Sequence, residues 1–241
     1  GTGEMHLAIA VERLRRKFGV QVDTEPVQVA YRETISAPVI GFTYTHKKQS
    51  GGHGQYAQIT LSAEPLERGA GFEFQNRVVG GAVSKGYIAA VERGIQEAMA
   101  QGGDVAGYPI VDLRVILTDG KEHSVDSSEM AFRHAASMAL REVTMHGQPV
   151  ILEPISGVEA TVPADQLGDV LGDINARRGR VQGTEPGDVG EQVVRALVPE
   201  NELQSYATDL RSLTGGRGRF TTRHDHYDVL PAVGPTGRPA D

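Results

Sequence analysis

The stretch LEPISGVEATVPADQLGDVLGDINARRG, residues 152–179, has the pattern of one β-strand followed by one α-helix. Its first part is rich in β-branched and small apolar side chains and ends at Pro163, which is typical of a strand. Apolar residues at helical spacing then continue to Ile174, and Gly179 provides a natural helix end. We therefore expect a strand that is followed directly by a helix.

The segments after residue 179 complete a known order of elements. RVQGTEP and EQVVRALVP flank the turn sequence GDVG, which predicts a hairpin. Strands are predicted at 180–186, 191–199 and 219–230, and a helix at 200–218. The whole order is β-α-β-β-α-β, that of a ferredoxin-like split βαβ domain. We assign residues 151–228 to this domain and residues 229–241 to a Pro/Gly-rich tail without regular structure.

Residues 31–150 predict a second unit of mixed α+β type. Strands are predicted at 38–45, 55–65, 72–79 and 108–117, and helices at 85–102 and 124–147. Asp126 precedes Glu129 by three residues, so this pair predicts a capping box at the start of the second helix.

Residues 1–30 predict one helix at 4–18 and one strand at 20–29. One helix and one strand cannot bury an apolar face by themselves. We therefore expect these residues to be the end of a domain that begins upstream.

The composition excludes several classes of site. Cysteine is absent, which excludes disulfides, thiolate catalysis and cysteine-ligated zinc. No apolar run approaches the roughly 20 residues that span a bilayer, and the first residues lack the order of a signal peptide. We therefore expect a cytoplasmic protein with no membrane partner. The net charge of -7 argues against general polyanion binding, but basic residues cluster in THKKQSGGHG, NARRGR and GGRGRF.

The loop between the predicted strands 38–45 and 55–65 is basic and rich in glycine. Glycine lets another backbone approach closely, and Lys47 and Lys48 supply charge for phosphates. His53 and Tyr56 are able to stack on unpaired bases or to hydrogen-bond to them. These features favour an RNA-contacting hairpin tip, and the alternative is an ordinary long hairpin loop.

A second segment, TDGKEHSVDSSE at 118–129, places Lys121 and His123 just before a predicted helix start. Backbone N–H groups at a helix start favour an anion such as phosphate, and serine hydroxyls lie nearby. The hydroxyls belong to Ser124, Ser127 and Ser128, and opposing carboxylates to Asp119, Glu122 and Asp126. We therefore expect any anion to be bound by a few nearby donors and not by a general positive charge. The alternative is that His123 is a solvated loop residue.

Motifs for an active site are absent from the sequence. There is no phosphate loop, no H-E-x-x-H and no G-x-S-x-G. GHGQYA at 52–57 fits a relaxed dinucleotide fingerprint, but a strand pattern follows it where that fingerprint needs a helix. His224 and His226 share one face of the last predicted strand, yet a metal needs further ligands. We expect no catalytic residue, metal or cofactor in this chain.

Nine motifs along residues 1–228 resemble one family. They are GTGEMHL, QVAYRETI, KQSGGHGQY, GGAVSKGYIAAVERGIQEA, AGYPIVDLRVIL, HSVDSSEMAF, PVILEPI, GDVLGDINARRGRVQG and YATDLRSLTGGRGRF. Each motif is weakly specific alone, but nine in the same order are highly specific. Together they resemble the C-terminal half of bacterial elongation factor G, the translocation GTPase of the ribosome.

The resemblance implies the fold of each part. Residues 1–30 would be the end of domain III, a ferredoxin-like domain. Residues 31–150 would form domain IV, an S5-type α+β unit with a left-handed βαβ crossover, which is a rare connection. Residues 151–228 would form the ferredoxin-like domain V. GTP and Mg would bind the GTPase domain of the full-length parent, so the parent rather than this chain would hydrolyse nucleotide.

The resemblance also implies partners. The tip of domain IV enters the small-subunit decoding centre and holds the codon–anticodon duplex while tRNA and mRNA advance. The RNA-contacting residues would be Lys47, Lys48, Gln49, Ser50, Gly51, Gly52, His53, Gly54, Gln55, Lys121, His123 and Ser124. Domain V lies near the large-subunit stalk base and the sarcin–ricin region, so Arg177, Arg178 and Arg180 are candidate contacts there. We expect a monomer.

Two departures from the family pattern keep other functions open. His53 stands where bacterial factors commonly carry arginine, and the Pro/Gly tail replaces the C-terminal helix of the family. One alternative is a paralogue for ribosome recycling or for ribosomal protection against a tetracycline-type drug. Another alternative is a free-standing RNA-binding module.

Overall fold

The computed structural model describes residues 4–23, 28–50 and 53–231, without the side chains of residues 4–8, 50 and 53. The described residues form two compact units. Unit 1 contains residues 4–23, 28–29 and 154–225, and unit 2 contains residues 30–50, 53–153 and 226–231. Because compactness alone does not show independent folding, the domain boundaries predicted from the sequence stay predictions.

Both units mix helices and strands, which confirms the predicted α+β class. In chain order the elements are α1 (Glu4–Phe18), β1 (Arg32–Ile35), β2 (Val39–Ser50), β3 (His53–Pro65), β4 (Phe72–Asn76), α2 (Lys85–Gln101), β5 (Leu113–Lys121), α3 (Glu129–His146), β6 (Pro149–Pro163), α4 (Leu167–Ala176), β7 (Arg180–Pro186), β8 (Glu191–Pro199), α5 (Tyr206–Leu213) and β9 (Arg219–Val229). Short 3-10 turns at Ala164–Gln166 and Glu200–Leu203 lie between strand and helix in unit 1.

Unit 2 is built on a four-stranded sheet in the order β2-β3-β5-β4. The β2–β3 and β3–β5 pairs are antiparallel, whereas β4 and β5 pair parallel and are joined through α2. This connection is the expected βαβ crossover, and its left-handed sense stays a prediction. One face of the sheet packs on α2 and α3, around a core that includes Ile59, Leu61, Ile95, Phe132 and Leu140.

The two helices of unit 2 approach each other closely at Gly94. A Cβ atom added to Gly94 would lie 2.3 Å from the carbonyl oxygen of Arg133 in α3, so only glycine allows this spacing. Nearer the helix N-termini, the rings of Tyr87 and Phe132 stack with centroids 4.6 Å apart. The starts of α2 and α3 are therefore held side by side at one end of the unit.

β1 is a short strand that the sequence patterns do not predict. It pairs antiparallel with the first residues of β6, and within it Glu33 is buried. Glu33 Oε1 accepts hydrogen bonds from the backbone N–H groups of Ala106 at 2.9 Å and Tyr108 at 3.1 Å. A buried carboxylate that is satisfied by a distant loop leaves no periodic signal in the sequence.

Three predicted strands are shortened in the structure or absent from it. The strand predicted at 72–79 ends at Asn76, whose Oδ1 accepts from the N–H of Val78 at 3.0 Å. The strand predicted at 108–117 begins only at Leu113, because Asp112 adopts a left-handed conformation with φ 55° that interrupts extended backbone. The strand predicted at 20–29 is wrong for residues 20–23 and 28–29, which have no regular structure. Residues 24–27 of that prediction lie outside the described residues.

The start of α3 also differs from the prediction. The N-cap is Ser128, whose Oγ accepts a hydrogen bond from the N–H of Ala131 at 3.1 Å. The predicted capping box of Asp126 and Glu129 is therefore wrong, because the Asp126 carboxylate binds a strand instead. Its Oδ1 accepts from the N–H of Gly54 at 3.1 Å.

Unit 1 contains an antiparallel sheet in the order β6-β8-β7, and β9 also pairs with β6. Helices α4 and α5 pack on one face around a core that includes Val158, Ile174, Val194, Tyr206 and Leu210. The chain order β6-α4-β7-β8-α5-β9 is the split βαβ order, which confirms the ferredoxin-like assignment. The helix predicted at 4–18 is present as α1, and the predicted tail lies outside the described residues beyond residue 231.

Replacing Gly94 with alanine should destabilise unit 2, because the new Cβ must displace the Arg133 backbone. Overpacking of this kind lowers the free energy of unfolding by about 1–3 kcal/mol, which urea denaturation would measure. The matched control is Gly86→Ala in the same helix, whose added Cβ would meet only Glu129 Oε1 at 3.9 Å. The control should be neutral or slightly stabilising, and equal losses in both variants would contradict the close-contact explanation.

Candidate nucleic-acid interface

The first predicted RNA-contacting segment is mostly strand rather than loop. β2 and β3 pair to the end of the hairpin, with Lys47 opposite Tyr56, Lys48 opposite Gln55 and Ser50 opposite His53. Gln49 pairs with Gly54 in the same register, and Gly51 and Gly52 lie outside the described residues. The loop predicted between the strands at 38–45 and 55–65 is therefore wrong for most of its residues, since β2 continues to Ser50 and β3 begins at His53.

Strand pairing separates the two lysines onto opposite faces of the sheet. Ala57 and Ile59 face the helices and are fully buried, and Lys48 lies on their face. Lys47 and Tyr56 occupy the other face, which the helices of unit 2 do not cover. Both lysines are exposed, but Lys48 lies on the helix-facing side of the sheet and Lys47 lies on the open side.

A histidine pair lies beside Lys48 on the helix-facing side. The rings of His46 and His134 meet edge to face with centroids 4.6 Å apart, and His46 Nε2 lies 3.0 Å from Gln55 Oε1. Burial lowers the pKa of His134, and the nearby His46 and Lys48 lower it further by repulsion. Gln55 is thus held against a histidine in this structure.

The second predicted segment folds against the end of the first. The β3–β5 pairing ends at Gln58 opposite Lys121, and the loop at 122–128 continues along β3 from there. The Tyr56 N–H donates to the Asp126 carbonyl at 2.8 Å, and the Ser127 Oγ donates to the Tyr56 carbonyl at 2.7 Å. With the bond from Gly54 N–H to Asp126 Oδ1, these three hydrogen bonds form what we call the latch. The end of unit 2 that contains the last residues of β2, the first residues of β3 and the loop at 122–128 is called the tip.

The latch requires glycine at position 54, because a side chain there would collide with the Asp126 carboxylate. A Cβ atom added to Gly54 would lie 2.9 Å from the Asp126 Cγ atom and 3.0 Å from its Oδ1. From the sequence, Gly54 is predicted to contact RNA and Asp126 to oppose anion binding. Their contact across 72 positions of sequence could not be read from local patterns.

His123 lies on the outer side of the latch with 53% of its side chain exposed. Its ring centroid is 6.1 Å from that of Tyr56, and its backbone N–H donates to Ser127 Oγ at 2.8 Å. Lys121 and Ser124 are exposed on either side of it. The structure thus brings His123 beside the hairpin end, as expected, whereas the position of the His53 imidazole lies outside the described side chains.

The carboxylates near the tip are engaged in local hydrogen bonds. Glu122 Oε2 accepts from the N–H of Ser84 at 2.9 Å, and Asp119 Oδ1 accepts from the N–H of Gly120 at 2.8 Å. Asp126 holds Gly54, as described above. These acids therefore order the loops around them. The sequence predicts them only as charge that opposes anion binding.

The basic segment NARRGR in unit 1 behaves differently. The Arg177 side chain is only 14% exposed, and its guanidinium binds Asp173 at 2.8 Å and Asp209 at 2.6 Å. Burial opposes the charge of Arg177, but the hydrogen bonds with these two carboxylates outweigh it and raise the pKa of Arg177. This guanidinium also lies 5.2 Å from the ring centroid of Tyr206, whose pKa burial raises to about 12. Arg177 is therefore part of an internal network.

The neighbouring arginines are more accessible. Arg178 Nε contacts Glu202 Oε1 at 3.3 Å, and Arg180 is exposed at the start of β7. The assignment of Arg177, Arg178 and Arg180 to the large ribosomal subunit stays a prediction. The structure adds that Arg177 has an internal role that its sequence context does not indicate.

Two further sequence expectations concern metals and membranes. His224 Nδ1 lies 3.4 Å from Glu200 Oε1 in unit 1. Across residues 4–23, 28–50 and 53–231, no three His, Asp or Glu side chains gather closely enough to hold a metal ion. Among the helices of this described part, none combines the length and apolar character that crossing a bilayer requires.

Replacing Gly54 with alanine should open the latch. The Cβ would displace the Asp126 carboxylate, so the Tyr56 amide, which donates to Asp126, should exchange with solvent roughly 10-fold faster or more. Hydrogen exchange followed by NMR measures this rate. Gly183→Ala in β7, where nothing lies within 4 Å of the added Cβ, is the matched control. Unchanged protection of Tyr56 in the Gly54 variant would contradict the steric role of this glycine.

Replacing Arg177 with alanine should destabilise unit 1 by about 1.5–3 kcal/mol, because charged hydrogen-bond partners are left unpaired. Arg217→Ala is the comparison, since Arg217 makes a single 3.7 Å contact with Asp165 and both side chains are exposed. That loss should stay within about 1 kcal/mol. Denaturant unfolding measures both values, and similar losses for the two variants would count against the internal network.

Comparisons with known proteins agree with this arrangement. The family model "Elongation factor G, domain IV" matches residues 27–148, and "Elongation factor G C-terminus" matches residues 150–236. A crystal structure of a protein from Thermus thermophilus superposes with a TM-score of 0.86 at 41% sequence identity. The match covers 96% of this chain and 34% of the Thermus chain, so this chain spans about a third of that relative. On these matches, the chain belongs to the elongation factor G family.

Proposed function

We propose that this chain is the ribosome-binding C-terminal region of an elongation factor G-like translational GTPase and promotes translocation of tRNA and mRNA. In this proposal the tip of unit 2 enters the decoding centre of the small subunit. The observation that carries the proposal is the latch, because it fixes His123 and the hairpin end as one exposed surface. The membership of residues 27–148 in the domain IV family supports it.

The groups at the tip suit RNA better than a protein or a small molecule. Lys47 and Lys121 are exposed and offer charge to phosphates. His123 offers an exposed imidazole, and Tyr56 lies next to it with an aromatic face for an unpaired base. Only a few groups at the tip have fixed positions, and the carboxylates of Asp119, Glu122 and Asp126 lie among them. The tip would therefore contact RNA at a small number of fixed points.

The proposed mechanism is mechanical rather than chemical. A hairpin tip held by the latch and backed by two packed helices can act as a wedge that occupies space beside the codon–anticodon duplex. GTP and Mg are assigned to a GTPase domain outside these 241 residues, in keeping with the lack of a phosphate loop here. Unit 1 would lie near the stalk base and sarcin–ricin region of the large subunit, with Arg178 and Arg180 as contacts. We propose a cytoplasmic monomer.

His123→Ala in the complete factor should slow single-turnover translocation roughly 10-fold or more, because one positioned hydrogen bond to RNA is lost. Ribosome-stimulated GTP hydrolysis should stay nearly unchanged. Stopped-flow fluorescence of labelled tRNA and phosphate release measure the two rates. His146→Ala at the other end of α3 is the control and should leave both rates unchanged. Unaltered translocation in the His123 variant would remove the proposed role.

The same assay separates the proposal from the paralogue functions. A factor for drug protection would release a tetracycline-type drug from ribosomes and translocate poorly even without substitution. A recycling factor would split post-termination ribosomes and likewise translocate poorly. Efficient translocation by the unsubstituted factor, together with loss in the His123 variant, is the outcome that the proposal expects.

A further inference from the structure

Both nitrogen atoms of the His123 ring have defined surroundings at the tip. Nδ1 faces the backbone N–H groups of Val125 at 3.3 Å and Asp126 at 3.2 Å, and both groups donate to it. An imidazole nitrogen that accepts hydrogen bonds carries no proton. In neutral His123 the single ring proton must therefore lie on Nε2.

Protonation of His123 does not change what Nε2 offers. Asp126 Oδ2 lies 3.4 Å from Nδ1, so a second proton added at Nδ1 would face a carboxylate. Nε2 keeps its proton in that state as well, because both nitrogens of an imidazolium are donors. The only form that would make Nε2 an acceptor is the neutral Nδ1–H tautomer. That form would lose the hydrogen bonds from two backbone N–H groups and gain one contact with Asp126 Oδ2 at 3.4 Å, without the positive charge of the imidazolium to strengthen it.

We propose that His123 presents a hydrogen-bond donor at Nε2 in both protonation states, and that Asp126 and Ser127 are the positioning residues that fix this. Resting on the proposed function, the partner of His123 is then an acceptor atom of RNA, such as a phosphate oxygen or a base carbonyl. A donor group of RNA, such as an exocyclic amine, is excluded as its partner.

The positioning works through two connected contacts. Ser127 Oγ accepts from the His123 backbone N–H and donates to the Tyr56 carbonyl, which ties the histidine backbone to β3. Asp126 binds Gly54 through Oδ1 and its own N–H binds the histidine ring. The ring orientation therefore depends on the same two residues that close the latch. Tyr87 adds a bond from its hydroxyl to the Ser127 carbonyl at 3.1 Å.

The tautomer can be measured in this chain without any ribosome. Histidine-labelled ¹⁵N NMR distinguishes a protonated ring nitrogen from a bare one. We expect His123 to show a bare Nδ1 and a protonated Nε2 when neutral, with the second proton appearing at Nδ1 on acidification. A protonated Nδ1 with a bare Nε2 in the neutral ring would overturn the proposal.

Substitutions test the positioning residues separately from stability. Ser127→Ala and Asp126→Ala each remove a side-chain acceptor of the latch, and should release the ring, so that the neutral His123 signals shift toward a mixture of the two tautomers. Ser128→Ala is the control, because it removes the N-cap bond of α3 without touching the histidine. A single Nε2–H tautomer retained in both latch variants would show that these residues do not position the ring.

A second pair of variants tests the outward donor itself. His123→Asn keeps a short side-chain oxygen able to accept from the backbone groups of the loop, but has no group at the place of Nε2. His123→Gln instead places an amide donor further out. In the complete factor we expect the Asn variant to translocate as slowly as His123→Ala and the Gln variant to recover part of the rate. Full activity of the Asn variant would overturn the donor role.

The two hypotheses fail in different ways. If every His123 variant translocates normally while the NMR tautomer is as expected, the proposed function of the tip is wrong and the donor geometry is right. If translocation depends on His123 but the neutral ring carries its proton on Nδ1, the function is right and the donor assignment is wrong. The salt dependence of binding to purified small subunits is compared between the unsubstituted factor and His123→Ala at a low pH, where the imidazole is charged. A phosphate partner would make the dependence steeper for the unsubstituted factor than for the variant, and a base partner would leave the two equal.

Discussion

The end of β3 depends on hydrogen bonds from outside its own sheet. β5 supplies partners only as far as Gln58, and the Tyr56 backbone and the Gly54 N–H beyond that point bind the loop at 122–128 instead. A two-stranded ribbon that projects without a third partner is only marginally stable in water. The latch converts the projecting hairpin into a continuation of the sheet. The exposed side chains at the tip inherit their fixed positions from these few backbone contacts.

The latch is connected to the core of unit 2 through aromatic side chains. Phe132 is fully buried between the helices and the sheet, Tyr87 stacks on it, and the Tyr87 hydroxyl donates to the Ser127 carbonyl. The close approach of α2 and α3 at Gly94 sets the spacing at which these two rings meet. A force applied at the tip would thus act on packed side chains and backbone, not on a free loop, as the proposed wedge role would require.

Long periodic segments were predictable from the sequence, and contacts between distant segments were not. The α2, α3 and α4 helices and the β6–β9 order follow from apolar spacing and glycine or proline stops, which are local signals. β1 has only four residues and takes its identity from β6 and from the burial of Glu33, so no local pattern marks it. Asp126 has the spacing to Glu129 that a capping box needs. Its carboxylate instead accepts a hydrogen bond from the backbone N–H of Gly54, which lies 72 positions away in the sequence. Ser128 caps the helix in its place.

Charge in the sequence is a poor guide to charge at the surface of this protein. Arg177 lies in one of the basic clusters of the sequence, yet two carboxylates and a backbone carbonyl bind its guanidinium inside unit 1. At the tip, Glu122 and Asp126 hold backbone N–H groups. Together with Asp119 they balance the charges of Lys47, Lys48 and Lys121, so the surface there is close to neutral. In the proposed function, a nearly neutral surface would give weak long-range attraction to RNA, so selectivity would have to come from groups whose direction is fixed. A histidine whose inner nitrogen is occupied by two backbone donors meets that requirement, since it offers one donor in one direction whatever its protonation state.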